Sequence, residues 1–255
     1  LMWKTVDKRR LKTRRFEYES EVVERLHTAL PLEVEVTLLA DRGFGDVARY
    51  QHLDLHSWHY VIRFRGAVTM KVGERTGPAS DFLHASGRAT LYRNVQLTGR
   101  EAAVSMVVTV HAKGMKDAWY LAADVADLKA AEIVKLYGKR FTIEETFRDL
   151  KNLAFGAGMS ETTVSTPQRR DRLLLLQAMA HTLLSLLGEA GERLGWDRRL
   201  KANTSKKRQH SLYNQGTYWF SALPFMPADE AKLLMRELGK LVLEQRFLHD
   251  WLAQI

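Results

Sequence analysis

Cysteine is absent from all 255 residues, which removes disulfides, thiolate metal sites and cysteine nucleophiles together. An intracellular setting is therefore allowed. The first ten residues, LMWKTVDKRR, have no apolar segment behind their charges and do not read as a secretory signal. The most apolar stretch, LLLLQAMAHTLLSLLG from Leu173, falls short of the roughly 20 residues needed to cross a bilayer. It is also interrupted by Gln177, His181, Thr182 and Ser185, so it is expected to form a buried core helix. Gly43 and Gly45 do not make a dinucleotide fingerprint, and Gly138, Lys139 and Arg140 lack the preceding glycine of a phosphate loop. Internal repeats and low-complexity tracts are lacking as well.

What remains is a globular composition, 45% hydrophobic and 27% charged, long enough for a sizeable core. Lys and Arg outnumber Asp and Glu by 39 to 30, a net charge of +9. Such an excess favours a polyanionic partner, with nucleic acid the first candidate and anionic membrane the second.

Along the chain, KTVDKRRLKTRR at 4–15 carries seven cations without a clear period and reads as a basic loop or arm. A helix follows at 16–30. LEVEVTLLA at 32–40 reads as a strand that becomes wholly apolar, as a strand buried on both faces does. It ends at Asp41, and DRGFGD turns the chain into a helix before a second strand, HYVIRFRG. Sites form at such strand ends in α/β units. Residues 66–118 alternate in polarity between Gly, Pro and Ser and read as a small antiparallel β insertion. AWYLAAD resumes the main fold. Helices are expected at 127–138, 139–153, about 168–194 and 227–252, with a polar basic linker, KANTSKKRQHSLYNQG, before the last.

Chemistry concentrates in YGKRFTIEETFRDLK, residues 137–151. On a helix, Tyr137, Arg140, Glu144 and Lys151 fall at about 0°, 300°, 340° and 320°, a single stripe beside the apolar arc of Leu136, Ile143, Phe147 and Leu150. One carboxylate is thus held among two cations and a phenol. Asp41 and Glu144 together would suit magnesium, which takes oxygen ligands and keeps waters and substrate phosphates around it. Arg140 and Lys151 would then hold DNA phosphates. His52 and His56 in HLDLH have the spacing of metal ligands on a helix, but no Glu follows the first His, and a surface role at a helix end is expected.

The spacing Tyr, two residues, Arg, three residues, Glu, six residues, Lys resembles the signature of the insertion-sequence-four family of DDE transposases, and LLADRGFGD resembles the segment around that family's second catalytic Asp. The resemblance implies an α+β, or α/β, chain. It would carry a partial RNase H-like core with the second acid at 1–65, a β insertion at 66–118, the rest of the core with the Glu helix at 119–195, and a basic linker and C-terminal helix at 196–255. It implies Asp41 and Glu144 as catalytic, metal-binding acids, with magnesium as cofactor and manganese able to replace it. Tyr137, Arg140 and Lys151 would contact DNA, joined by Arg42. Trp119 sits where some relatives stack a flipped base; as a residue of the resumed strand it is expected foremost as a buried aromatic. The KKRQHSLYNQG segment resembles an Arg, Ser, Gly pattern near the end of relatives. A homodimer working on transposon ends and target DNA in the bacterial cytoplasm is implied, with no membrane role.

One departure qualifies this picture. The family's first Asp lies on a strand ahead of the 16–30 helix, whereas here only Asp7 precedes Asp41, in a basic, non-strand context, and the chain opens on Leu1. A missing N-terminal part is the expectation, leaving the Asp41 strand with an unpaired edge. Two functions follow: magnesium-dependent cleavage and strand transfer, inactive in this form if the first Asp is absent, or a catalytically dead DNA-binding or dimerising remnant that inhibits a full-length enzyme.

Overall fold

The computed structural model describes residues 2–31, 33–45, 47–98, 102–125, 127–151, 162–164, 166–202, 204–206 and 208–245. The chain divides into two compact units, Arg14–Glu144 and a second made of Leu1–Thr13 with Glu145–Ile255.

The first unit is built on a seven-stranded sheet. Its strands are β1 (Thr37–Ala40), β2 (His59–Phe64), β3 (Thr69–Val72), β4 (Arg75–Pro78), β5 (Thr90–Leu97), β6 (Ala102–Val110) and β7 (Trp119–Asp124), in the order β1-β2-β7-β6-β5-β3-β4. β1 and β2 are parallel, joined by helix α2 (Val47–Leu55), and every other pairing is antiparallel. The strands of the expected β insertion therefore extend the same sheet, with β6 hydrogen-bonded directly to β7.

Alternation along the strands separates two cores. Tyr60, Ile62 and Phe64 of β2 and Tyr120 and Ala122 of β7 face one side, where Tyr50 and Leu53 of α2 and Val23 and Leu26 of helix α1 (Lys8–Ala29) cover them. Val61, Leu121 and Ala123 face the other, covered by Ile133 and Tyr137 of helix α3 (Ala130–Gly138). That second face positions the candidate site.

Three expectations are corrected here. The basic stretch 4–15 is not a loop throughout: α1 starts at Lys8 and kinks at Arg14 (φ −124°), and Arg14–Glu17 and Arg15–Glu19 pairs offset the cationic repulsion on its first turns. The strand expected over 32–40 is only Thr37–Ala40, because its ladder with β2 begins at Thr37 opposite His59. β1 is also an edge strand among the described strands and less buried than expected: Leu38 and Leu39 pack against the two opposite cores but are only half-buried, Thr37 is exposed, and Ala40 alone is buried.

In the second unit, helices α5 (Pro167–Arg193), α6 (Leu212–Ala222) and α7 (Ala228–Glu244) pack around Leu186, Leu187, Ala190, Trp196, Trp219, Leu234 and Leu241. α6 was hidden in the apparent linker. Ser211 caps it, accepting from the Asn214 amide at 3.2 Å. α5 and α6 cross with backbones touching: a Cβ on Gly216 would lie 1.7 Å from the Leu184 carbonyl oxygen, and one on Gly188 1.9 Å from that of Leu212. α5 is not the core helix expected throughout. Its buried residues all lie between Leu186 and Gly191, while Leu175, Leu176 and Leu183 are exposed. By length and composition alone, it is the one helix among the described residues able to cross a membrane. The helix expected at 227–252 is described as far as Glu244, and its remainder lies outside the described residues.

Candidate active site

β1 delivers Asp41 at its carboxyl end, and the chain turns at once. The Asp41 carboxylate accepts a hydrogen bond from the Gly43 amide at 2.8 Å, and its carbonyl accepts one from Phe44 N at 3.0 Å. Its side chain is exposed. A Cβ on Gly43 would meet Arg15 Nη2 and Asp41 Oδ1, each at 3.0 Å, so glycine leaves room for a guanidinium beside the acid. Arg15 is held there by Glu19 at 2.5 Å and by the Phe44 ring, 5.3 Å from its guanidinium carbon.

The other half of the site hangs from α3. Tyr137, 1% exposed, is packed by the second core, and Trp119 at the start of β7 meets it edge-on at 5.1 Å. After Gly138 the helix tightens to a 3-10 turn, Lys139–Phe141, before helix α4 (Thr142–Lys151). Tyr137 and Glu144 thus do not lie on one continuous α-helix, and Tyr137 is part of the second core. Phe141 stacks on Trp119 with centroids 5.8 Å apart, and the Arg140 guanidinium lies 4.8 Å from the Phe141 centroid. Arg140 Nη2 donates to Glu144 Oε1 at 2.7 Å, while its Nε is buried and makes no hydrogen bond among the described residues.

Electrostatics link the two halves. Burial disfavours the charge on Arg140, but the Glu144 hydrogen bond and the fields of Tyr137, Glu144 and Asp41 outweigh it and raise its pKa. Burial likewise pushes the Tyr137 phenol up, against the pull of Arg140 and Arg63. The partly exposed Arg140 guanidinium thus takes contributions from both acids, with that of Glu144 the larger.

The remaining sequence-predicted residues are distributed unevenly. Arg42 is exposed on the turn after Asp41. The side chain of Lys151 lies outside the described residues, as does that of Leu150. Ile143 and Phe147, expected on a buried arc, are each 48% exposed. In the KKRQHSLYNQG segment, Arg208 grips Glu192 at 2.6 and 2.7 Å, and Lys207 lies outside the described residues. Sequence reasoning missed Arg63, Arg15 and Phe141, which carry no spacing signal because they reach the site from β2, α1 and the 3-10 turn.

Residues 13–183, well over half the chain and spanning both acids, match the family described as Transposase DDE domain. The chain belongs to that family. No curated protein matches it. A DDE transposase acts on DNA and uses divalent metals, which agrees with the net charge of +9. The mixed α+β architecture with its seven-stranded sheet is compatible with the RNase H-like fold of such enzymes.

Proposed function

We propose that this DDE transposase domain is of the insertion-sequence-four kind and serves magnesium-dependent DNA cleavage and strand transfer, with Asp41 and Glu144 as the second and third acids of its triad. What supports the reading is Arg140, which donates to Glu144 at 2.7 Å and whose raised pKa includes a smaller contribution from Asp41, a hundred residues away in sequence. Both acids have exposed side chains offering only carboxylate oxygens, the donor type that magnesium and manganese prefer. The donor set therefore fits the family's metal. When bound, such ions activate a water and stabilise the leaving oxygen of a phosphodiester.

The chain's own residues do the rest. Arg140, fixed by Phe141 and Glu144, would meet a phosphate oxygen through the part of its guanidinium that stays exposed. Tyr137 and Trp119 brace Phe141 and so hold Arg140 in place. Base stacking on Trp119 would have to share the ring with Phe141. Lys151 and Arg42 complete the proposed DNA contacts.

A second reading, a DNA-binding remnant that dimerises, draws on one observation. β1 is an edge strand among the described strands, with backbone groups open to another chain. A strand-transfer assay on transposon-end duplexes with magnesium or manganese separates the two. Activity that disappears in Glu144→Gln supports the enzyme; activity unaffected by Glu144→Gln refutes the assignment. DNA binding without activity, together with inhibition of an active N-terminally extended form, supports the remnant.

A further inference from the structure

On the sheet face opposite α3, the α1–α2 contact collects a second set of potential ligands that includes neither Asp41 nor Glu144. Glu24 of α1, His52 of α2 and His56 just beyond α2 place one donor atom each within 4.8 Å of one another. His56 Nε2 lies 2.9 Å and His52 Nε2 3.5 Å from the same oxygen, Glu24 Oε1. Bonds of about 2.1 Å to a tetrahedral metal put neighbouring ligand atoms about 3.4 Å apart. The two observed distances to Glu24 bracket that value.

Burial makes the arrangement more than a surface coincidence. The imidazoles retain only 16% and 12% side-chain exposure, and His52 Nε2 is buried without a hydrogen-bond partner among the described residues. An orphaned buried nitrogen facing a carboxylate and a second imidazole is what an empty ligand set presents. His27 lies against the His56 ring at 4.4 Å and Trp58 at 5.9 Å, which fixes the orientation of that ring. His27 and His56 also line a cavity of about 180 Å³.

We propose that Glu24, His52 and His56 form a structural site for a late first-row transition-metal cation, best met by zinc, with a fourth position left to water. Two imidazole nitrogens and one carboxylate suit zinc and its neighbours and not magnesium. The ion would clamp α1 to α2, two helices already tied by Arg49 through Glu19 at 2.9 Å.

The test begins with chain stripped of metal by chelator, titrated with zinc or magnesium while its thermal midpoint is followed, and with cobalt(II) while its visible spectrum is read. Zinc should bind one per chain and raise the midpoint, magnesium at equal concentration should not, and cobalt should give a d–d band typical of nitrogen and oxygen ligation. His52→Ala and His56→Ala should abolish the band, Glu24→Gln should weaken zinc by about tenfold or more, and Glu144→Gln should leave zinc affinity unchanged. No stoichiometric zinc binding, or a band that persists in the folded His52→Ala/His56→Ala double variant, overturns the site. Should the histidine variants not fold, Glu24→Gln decides alone. Its side chain is 51% exposed, so it perturbs little else, and unchanged zinc affinity in it also overturns the site.

Discussion

Arg140 donates to Glu144 at 2.7 Å four residues away and keeps 17% side-chain exposure. A guanidinium so fixed is proposed to meet a phosphate through the part that remains exposed. Arg140→Ala should weaken DNA binding by a similar factor on unrelated duplexes and reduce the slope of log affinity against log salt by about one. A salt titration by fluorescence anisotropy checks this. An unchanged slope would remove Arg140 from phosphate contact. Arg140→Lys should not restore the loss, since an ammonium cannot hold Glu144 and a phosphate with one planar fork.

The α5–α6 crossing gives a stability prediction. Gly216→Ala would drive a Cβ to 1.7 Å from the Leu184 carbonyl, where neither backbone can yield without parting the helices. A loss of about 3 kcal/mol or more is expected, or roughly 6 to 12 °C in thermal midpoint for a chain of this size. Gly239→Ala, with open space around it, should be neutral or slightly stabilising.

Within α5, Leu187 is 4% exposed and Leu176 63% exposed. Leu187→Ala should cost about 2 to 5 kcal/mol, whereas Leu176→Ala should stay within about 0.5 kcal/mol. Urea unfolding of the two variants measures the contrast. Equal losses would mean that the whole apolar run is core.

His181 makes the second unit sensitive to acid. It stacks on Tyr213 with centroids 4.6 Å apart and its Nε2 is buried without a partner. Burial lowers its pKa, with Asp149 acting weakly the other way. The folded state therefore binds this proton less readily than the unfolded chain does. The stabilising contribution is complete above the unfolded value near 6.5 and is lost as pH falls from there toward the depressed folded value. His181→Phe, which keeps the stacking, should flatten the fall in stability between about pH 7 and 5. An identical pH profile in the variant would contradict this.

The sequence was most readable where one period governed. The β1-α2-β2 unit, the strand end at Asp41 and the antiparallel strands of 66–118 all follow from alternation and turn residues. The Arg140–Glu144 pair follows from helical spacing. Burial was the harder matter. A helical wheel treats 137–151 as continuous and cannot show that the 3-10 turn at Lys139–Phe141 separates a buried Tyr137 from an exposed Glu144. Nor does an apolar strand reveal whether it lies at the edge, as β1 does. His52 and His56 looked like surface residues because their third partner, Glu24, lies 28 positions before His52 on another helix. α6 was obscured by the cations ahead of it, although Ser211 announces its start.

The account stands or falls on Asp41 and Glu144 serving one metal site. A double-mutant cycle of manganese affinity, measured in the presence of duplex DNA for the chain, Asp41→Asn, Glu144→Gln and the double variant, addresses that directly. Each single change should weaken binding by about tenfold or more, and the double variant should be little weaker than either single one. Independent, additive losses, or full affinity in either single variant, would contradict it.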